Sequence, residues 1–355
     1  MRLRFWRYDL KLAHRWAVSS SVGSGGGGGK EIYEIVFVEL DDKQGTVGIG
    51  EAAPSSRYDE SVDSVVPFME HINSYQLSFD DIPGSMRCLD LIAPRNFSAK
   101  GAINIALLDG AARKAGRRVC DFLGLGFTEG RHMTSFSIGI DQPAIIREKV
   151  LEAERYPILK LKVGSPHDQA SLAALREVAP RKLLRVDANE AWKTREEALK
   201  QIERLAADEY IQFVEQPMPA ASELKDLVWL KQRSPLPLMA DESYPSAAAI
   251  DRCAEAFHAV NVKLAKTGGI TEAKKALTAA RERGLKTMLG CMIESSVLIS
   301  AAAHLAELTD YLDLDGNLLV TNDPYRGVKE NGGFLSFAQA PVQAGLCAQA
   351  LPPAG

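Results

Sequence analysis

KLLRVDANEAWKTREEALKQIERLAADEYIQFVEQP, residues 182–217, holds a β-type run, a helical stretch and a second β-type run. Each β run begins apolar and ends in acid, at Asp187 and at Glu215. The pattern extends in both directions. From residue 134 onward the β runs are TSFSIGI (134–140), ILKLKVG (158–164), KLLRVDAN (182–189), IQFVEQP (211–217), LPLMADES (236–243), AVNVKLAK (259–266), LKTMLGC (285–291) and YLDLDGN (311–317). Eight such runs, about 25 residues apart, have the repeat of successive βα units. The economical fold is an α/β (β/α)8-type, TIM-like barrel, because runs this apolar suit parallel strands covered by helices. An open doubly wound sheet is the rival. No GxGxxG stands at a strand-to-helix turn, which counts against its nucleotide-binding form.

Upstream of the repeats the pattern differs. Residues 2–10 and 31–40 (EIYEIVFVEL) read as strands, joined by SSSVGSGGGGGK, residues 19–30. That glycine run reads either as a disordered hairpin tip or as a mobile lid over a site. A loop, GIGEAAPSSRYDES (48–61), follows. The stretches 60–74 and 98–116 have helical spacing, the second with Ile103, Ala106, Leu107 and Ala111 on one face. The expected division is an α+β unit over 1–130, the barrel over 131–317, and a C-terminal segment, 318–355, with a strand in GGFLSF, returning to the first unit.

The chain has 355 residues, 46% hydrophobic and 25% charged, with a formal net charge of −4. There is no basic excess to hold nucleic acid or an anionic membrane, so small-molecule chemistry is expected. Five scattered cysteines without CxxC spacing indicate neither a disulfide framework nor a structural zinc site, and point to reduced thiols in a cytoplasm. MRLRFWRYDLKLAHRW lacks an apolar signal core, and no run approaches the length of a membrane span.

The ends of the β runs carry the chemistry. Lys160 and Lys162 close the second run, Asp187 the third, Glu215 the fourth, Asp241 and Glu242 the fifth, Lys263 and Lys266 the sixth, Asp313 and Asp315 the eighth. In a barrel these are C-terminal strand ends, the rim where active sites form. One acid there is an ordinary helix cap. A series at matching positions is not. Strands 3, 4 and 5 are neighbours, so Asp187, Glu215 and Asp241 converge, and three hard oxygen donors suit Mg²⁺. Strands 2 and 6 lie across the ring, so Lys162 and Lys263 face one another over the mouth. A metal that chelates a substrate carboxylate stabilises the enediolate left when an α-proton departs. A lysine beside Mg²⁺ and a second lysine, for which Lys160 is the candidate, is expected to have its pKa lowered toward working pH. Bases on both faces of one carbon permit inversion. Asp313 and Asp315, i and i+2 on strand 8, would hold an ammonium group; a dipeptide reaches from there to the metal, whereas a free amino acid is too short. The same LDLDG could instead be a turn held by Asx hydrogen bonds, or a second metal site.

KLK, VDAN, VEQP, ADES, NVKLAKTGG, GCMIES and DLDGN, in this order and spacing, resemble the muconate-lactonising subgroup of the enolase superfamily, and within it the dipeptide epimerases, including L-Ala-D/L-Glu epimerases. GEAAPSSRY and ALLDGAARKAG resemble that family's capping domain, so the resemblance spans nearly the whole chain. It implies a Mg²⁺-dependent isomerase, with one Mg²⁺ per subunit on Asp187, Glu215 and Asp241. Lys162 and Lys263 would be the acid/base pair, Lys160 their neighbour, and Asp313 with Asp315 the ammonium site. Ser135, Lys160, Met292 and Arg57 are further expected substrate contacts. Lys266 is expected to pair with Asp241 or Glu242. VDANEAW carries Glu190 and Ala191 where relatives often have Gln and Gly, and the glycine run stands where relatives that take Ala-Glu present a basic side chain. Lys30 and Arg57 are the remaining candidate cations for that role. The expected activity is inversion of the α-carbon of a dipeptide's C-terminal residue, with murein-derived L-Ala-Glu one candidate. No nucleic-acid or membrane partner is expected, and a homo-oligomer is left open. The alternatives are an o-succinylbenzoate synthase or muconate cycloisomerase, which shares the lysines and metal but has no use for Asp313 and Asp315, and a non-catalytic ligand-binding barrel, which need not keep the bases.

Overall fold

In the computed structural model residues 1–19 and 29–352 are described, so most of the glycine run lies outside them. The N-terminal region is an antiparallel sheet of β1 (Arg2–Trp16), β2 (Lys30–Asp41) and β3 (Val47–Ala52), in that order. β3 corrects the expected loop at GIGEA. Its glycines answer to packing: a Cβ on Gly50 would lie 2.0 Å from the Ala102 carbonyl oxygen, and one on Gly48 2.1 Å from that of Ala106. The helix Phe97–Lys114 rests directly on this strand, so glycine here marks a close approach of two backbones. That helix is buried from Ser98 to Ala112, because β2 and β3 cover one side and the barrel the other. The helix Val62–Glu70 falls within the stretch expected to be helical. A further helix, Ile82–Ile92, was not anticipated; Asp81 caps it by accepting from Gly84 N, and it buries Leu89 while Ile82, Met86 and Ile92 pack partly buried along the same face against the cap's core.

All eight β runs form strands: β4 (Phe136–Ile138), β5 (Ile158–Lys162), β6 (Leu183–Asp187), β7 (Ile211–Glu215), β8 (Leu238–Ala240), β9 (Ala259–Lys263), β10 (Lys286–Gly290) and β11 (Tyr311–Asp313). They hydrogen-bond in sequence order, all parallel, and a parallel bridge between Thr134 and Leu312 brings the last strand to the first. Register sets the level of the rim. Lys162 pairs with Asp187 and Asp187 with Glu215, while Lys263 and Asp313 both pair with Gly290.

Below the rim the interior is filled by Phe213, Met239, Ala259 and Met288. Arg185 lies there too, its guanidinium between the rings of Phe213 and Tyr311 and its Nη1 donating to the Leu312 carbonyl. It precedes Asp187 by two residues and so shares its inward face.

The C-terminal segment contacts both parts. Val320 bridges to Leu12, and Asn322 Oδ1 accepts from Lys11 N. β12 (Tyr325–Arg326) pairs with β15 (Gln349–Ala350), and Leu346 N donates to Asp109 on the cap's long helix. The hairpin of β13 (Lys329–Asn331) and β14 (Phe334–Ser336) turns instead toward the barrel, where Phe334 bridges to Met133. No helix among the described residues is long and apolar enough to cross a membrane.

Candidate active site

Asp187 ends β6, Glu215 ends β7, and Asp241 immediately follows β8. All three are buried, and one carboxylate oxygen from each lies within 4.8 Å of the others. The loops that leave these strands are shaped to hold them. Asn189, Glu190 and Gln216 have φ of 42°, 66° and 36°, a left-handed conformation that costs a non-glycine residue and persists where surroundings enforce it. The Gln216 side chain helps enforce it, accepting from the backbone N–H of Asp241 and of Ser243.

Four lysines meet this anionic cluster. Lys162 Nζ is 2.6 Å from Asp187 Oδ2, and Lys263 Nζ is 2.8 Å from Asp241 Oδ2. Lys160 Nζ sits in the centre, 2.7 Å from Asp313, 2.8 Å from Glu215 and 3.1 Å from Asp187. Lys266 donates to the Asp241 carboxylate and carbonyl and to the Asn261 carbonyl, in keeping with the pairing expected for it. Burial opposes the ammonium form of Lys263, but Asp241 beside it, its charge not shared with a metal, more than offsets that and holds its pKa above the ordinary value; a divalent cation on Asp241 would weaken that hold.

The carboxylates differ among themselves. Burial, then the neighbouring Asp187, pushes Glu215 up to about 7. Burial also acts to raise Asp313, yet Lys160 and Lys162 together hold it at about 2. Its partner Asp315 is pushed up to about 6 by burial and by Asp313. The triad fits a hard divalent cation on one further observation. Glu215 Oε2 is buried, and although Lys160 Nζ is close, no donor meets it at a hydrogen-bonding angle. Such an oxygen is costly unless a cation takes its lone pair.

The cavity at this rim is lined by Lys160, Lys162, Lys263, Asp241, Asp313, Asp315, Arg57 and Met292, among others, so most of the expected residues converge. Ser135 does not line it. It lies fully buried beneath Asp313, to which its hydroxyl donates at 2.7 Å, and Arg185 Nη1 approaches the same oxygen. Ser137, two residues nearer the rim on the same face, lines the cavity instead, and its N–H donates to Asp315 at 2.6 Å. The i, i+2 rule applied to TSFSIGI would have found it. Lys30 places its ammonium 5.6 Å from the centre of the Tyr33 ring, and Arg57 is bound by Glu190. Trp16, Tyr33 and Tyr58, wall residues supplied by the cap, carry no motif that would have singled them out.

Fold and site together define a capped parallel barrel with a buried carboxylate triad and lysines converging on it from both sides. The chain belongs to the enolase superfamily, in its mandelate racemase and muconate-lactonizing branch. Residues 145–322 match the family model "Enolase C-terminal domain-like", and residues 28–124 match "Mandelate racemase / muconate lactonizing enzyme, N-terminal domain". The L-Ala-D/L-amino acid epimerase of Pedosphaera parvula is 60% identical over 346 residues, 98% of this chain and 99% of that one. The L-Ala-D/L-Glu epimerase of Bacteroides thetaiotaomicron is 36% identical over 96% of this chain and 86% of that one. Among solved structures, the dipeptide epimerase of Enterococcus faecalis complexed with Mg and L-Leu-L-Tyr superposes with a TM-score of 0.86 at 29% identity, covering 98% of each chain.

Proposed function

We propose that this protein is a Mg²⁺-dependent dipeptide epimerase, an isomerase that inverts the α-carbon of a dipeptide's C-terminal residue. The observation that carries the reading is the placement of Lys162 and Lys263 on β5 and β9, four strands apart, with the triad between them, Asp313 at the end of β11 and Asp315 two residues beyond it. The relatives named as dipeptide and L-Ala-D/L-Glu epimerases support it.

Asp187, Glu215 and Asp241 would hold the metal, which when bound supplies positive charge beside the substrate carboxylate and so acidifies the α-proton. Asp313 and Asp315 anchor the α-ammonium group, fixing the dipeptide's direction across the mouth. One lysine, as the free amine, removes the α-proton from its face. The electron pair passes into the carboxylate as an enediolate, which the ammonium of Lys160 stabilises. The other lysine, as its ammonium, delivers a proton to the opposite face. A cycloisomerase or o-succinylbenzoate synthase would use the same lysines and bring no substrate ammonium to Asp313 and Asp315, of which only Asp313 already meets a lysine, Lys160. In the same reading, 1–130 and part of 318–355 form the cap that shapes substrate choice, while 131–317 carries the chemistry.

Incubation with L-Ala-L-Glu and other L,L-dipeptides in D₂O with Mg²⁺, followed by proton NMR, should show loss of the C-terminal α-proton signal and growth of the L,D diastereomer. EDTA should stop both, and added Mg²⁺ should restore them. Absence of exchange with every dipeptide tried would refute the proposal.

A further inference from the structure

Arg57 and Glu190 form a bidentate ion pair on the cavity wall, Nε to Oε2 at 2.6 Å and Nη2 to Oε1 at 2.8 Å. Arg57 comes from the cap, in the short helical turn Ser56–Tyr58. Glu190 stands three residues past Asp187, and its Oε1 also accepts from Ala220 N on the loop after β7, at 2.7 Å. The pair therefore overhangs the β6–β7 side of the rim, above the triad and across the ring from Asp313 and Asp315. In a dipeptide whose carboxylate lies at the triad and whose ammonium lies at Asp313 and Asp315, the group nearest this pair is the side chain of the C-terminal residue.

We infer that Glu190 is a specificity-determining residue that cancels the charge of Arg57 and makes the C-terminal side-chain subsite indifferent to charge. The inference rests on the dipeptide epimerase reading. The Nε–Nη2 edge of a guanidinium takes a carboxylate bidentately, and a glutamyl side chain of the substrate would compete for it. Here that edge is already filled from within the protein, and the carboxylate that fills it is only 17% exposed, so water does not readily displace it. Beside the pair the Tyr58 ring, its centre 5.9 Å from the Arg57 guanidinium, offers apolar surface to the cavity. Glutamate then binds as one side chain among neutral ones of similar size, without charge selection. Glu190 acts through Arg57 and is a positioning residue.

The test compares kcat/KM for L-Ala-L-Glu with that for its neutral isostere L-Ala-L-Gln in wild type, E190Q, R57Q and the double variant. Wild type should treat the two alike. E190Q frees Arg57 and should raise the Glu/Gln ratio on the order of tenfold, the scale of one partly screened charge pair. R57Q leaves Glu190 facing the substrate and should lower the ratio by a similar factor, and the double variant should return to the wild-type ratio. A merely structural role for the pair would slow both substrates together and leave the ratio unmoved in either single variant. That result overturns the inference, as does a shift that persists in the double variant. No exchange with either dipeptide in the wild type strikes the epimerase reading instead.

Discussion

At the scale of single residues, the site sets positive against negative charge at hydrogen-bonding distance. Lys162 touches Asp187, Lys263 touches Asp241, and Lys160 touches three carboxylates, so every ammonium is partnered before any ligand arrives. Both outer lysines are needed for inversion, each for one face. Lys162→Ala and Lys263→Ala should each abolish measurable epimerisation, consistent with the roughly 10²–10⁴-fold that a positioned acid or base contributes. One of the two should still exchange the α-proton of a single stereoisomer, because removal and return on one face need only one base. Parallel NMR assays starting from the L,L and L,D dipeptides check this, and full turnover in both variants would remove the lysines from the reaction. Asp313→Asn should raise KM for dipeptides while leaving the Mg²⁺ concentration for half-maximal activity nearly unchanged. Much of this constellation is legible in the sequence, since charges at the ends of apolar runs stand out against the pattern. Ser137 and Arg185 were not, for different reasons. Ser137 looks like any small polar residue in a strand and stands out only as the i+2 face-mate of Ser135, and Arg185 spends its charge in the barrel interior, where the usual rule puts apolar side chains.

At the scale of elements, alternation and burial explain what the sequence revealed and what it hid. The eight parallel strands were legible because helices cover them outside and side chains fill them inside, which forces apolar runs. β3 was hidden because two of its six positions are glycine, read as loop chemistry when they answer to the helix Phe97–Lys114 lying against them. The helix Ile82–Ile92 has an apolar face, Ile82, Met86, Leu89 and Ile92, but opens on Pro83 and Gly84, a dipeptide that ordinarily marks a turn. The close approach at β3 makes a sharp prediction. Gly50→Ala places a methyl group 2.0 Å from the Ala102 carbonyl oxygen, part of helix backbone that cannot rotate away. The strand or the helix must shift, at a cost of about 1–3 kcal/mol for overpacking. Gly45→Ala is the control. Its φ of 106° strains any side chain, but nothing lies within 4 Å of the added atom. Urea denaturation should show Gly50→Ala as the more destabilised of the two, and the order reversed would mean that backbone conformation matters more here than the helix contact.

At the scale of the whole molecule, cap, barrel and tail are joined by buried polar contacts that a repeat count along the chain cannot reveal. Glu51 of β3 accepts from Ser295 N and Leu298 N at the start of the barrel helix Ser296–Ala303, tying the cap to the barrel. At the other end of that helix all three parts meet at His304. Its Nδ1 accepts from Cys120 N at 3.2 Å, and its ring stacks on Phe337 of the tail with centroids 4.3 Å apart. The residue is fully buried, and burial pushes its pKa from 6.5 down to about 3. A proton on Nδ1 would also abolish the bond to Cys120. Between those values the unfolded chain binds a proton that the native protein does not, so stability is fully present above pH 6.5 and falls as pH drops toward 3. By pH 4.5 this one group should cost about 2–3 kcal/mol relative to pH 7. His304→Gln keeps an acceptor for Cys120 without a titrating ring, so it should lower stability at pH 7 and lose less on acidification. Urea midpoints measured at pH 7 and 4.5 for both proteins isolate the difference, because the carboxylates that also titrate are common to both. If the two proteins lose stability equally, the junction is not acid-sensitive through His304. If the variant loses less, acid loosens cap, barrel and tail at the point where they meet.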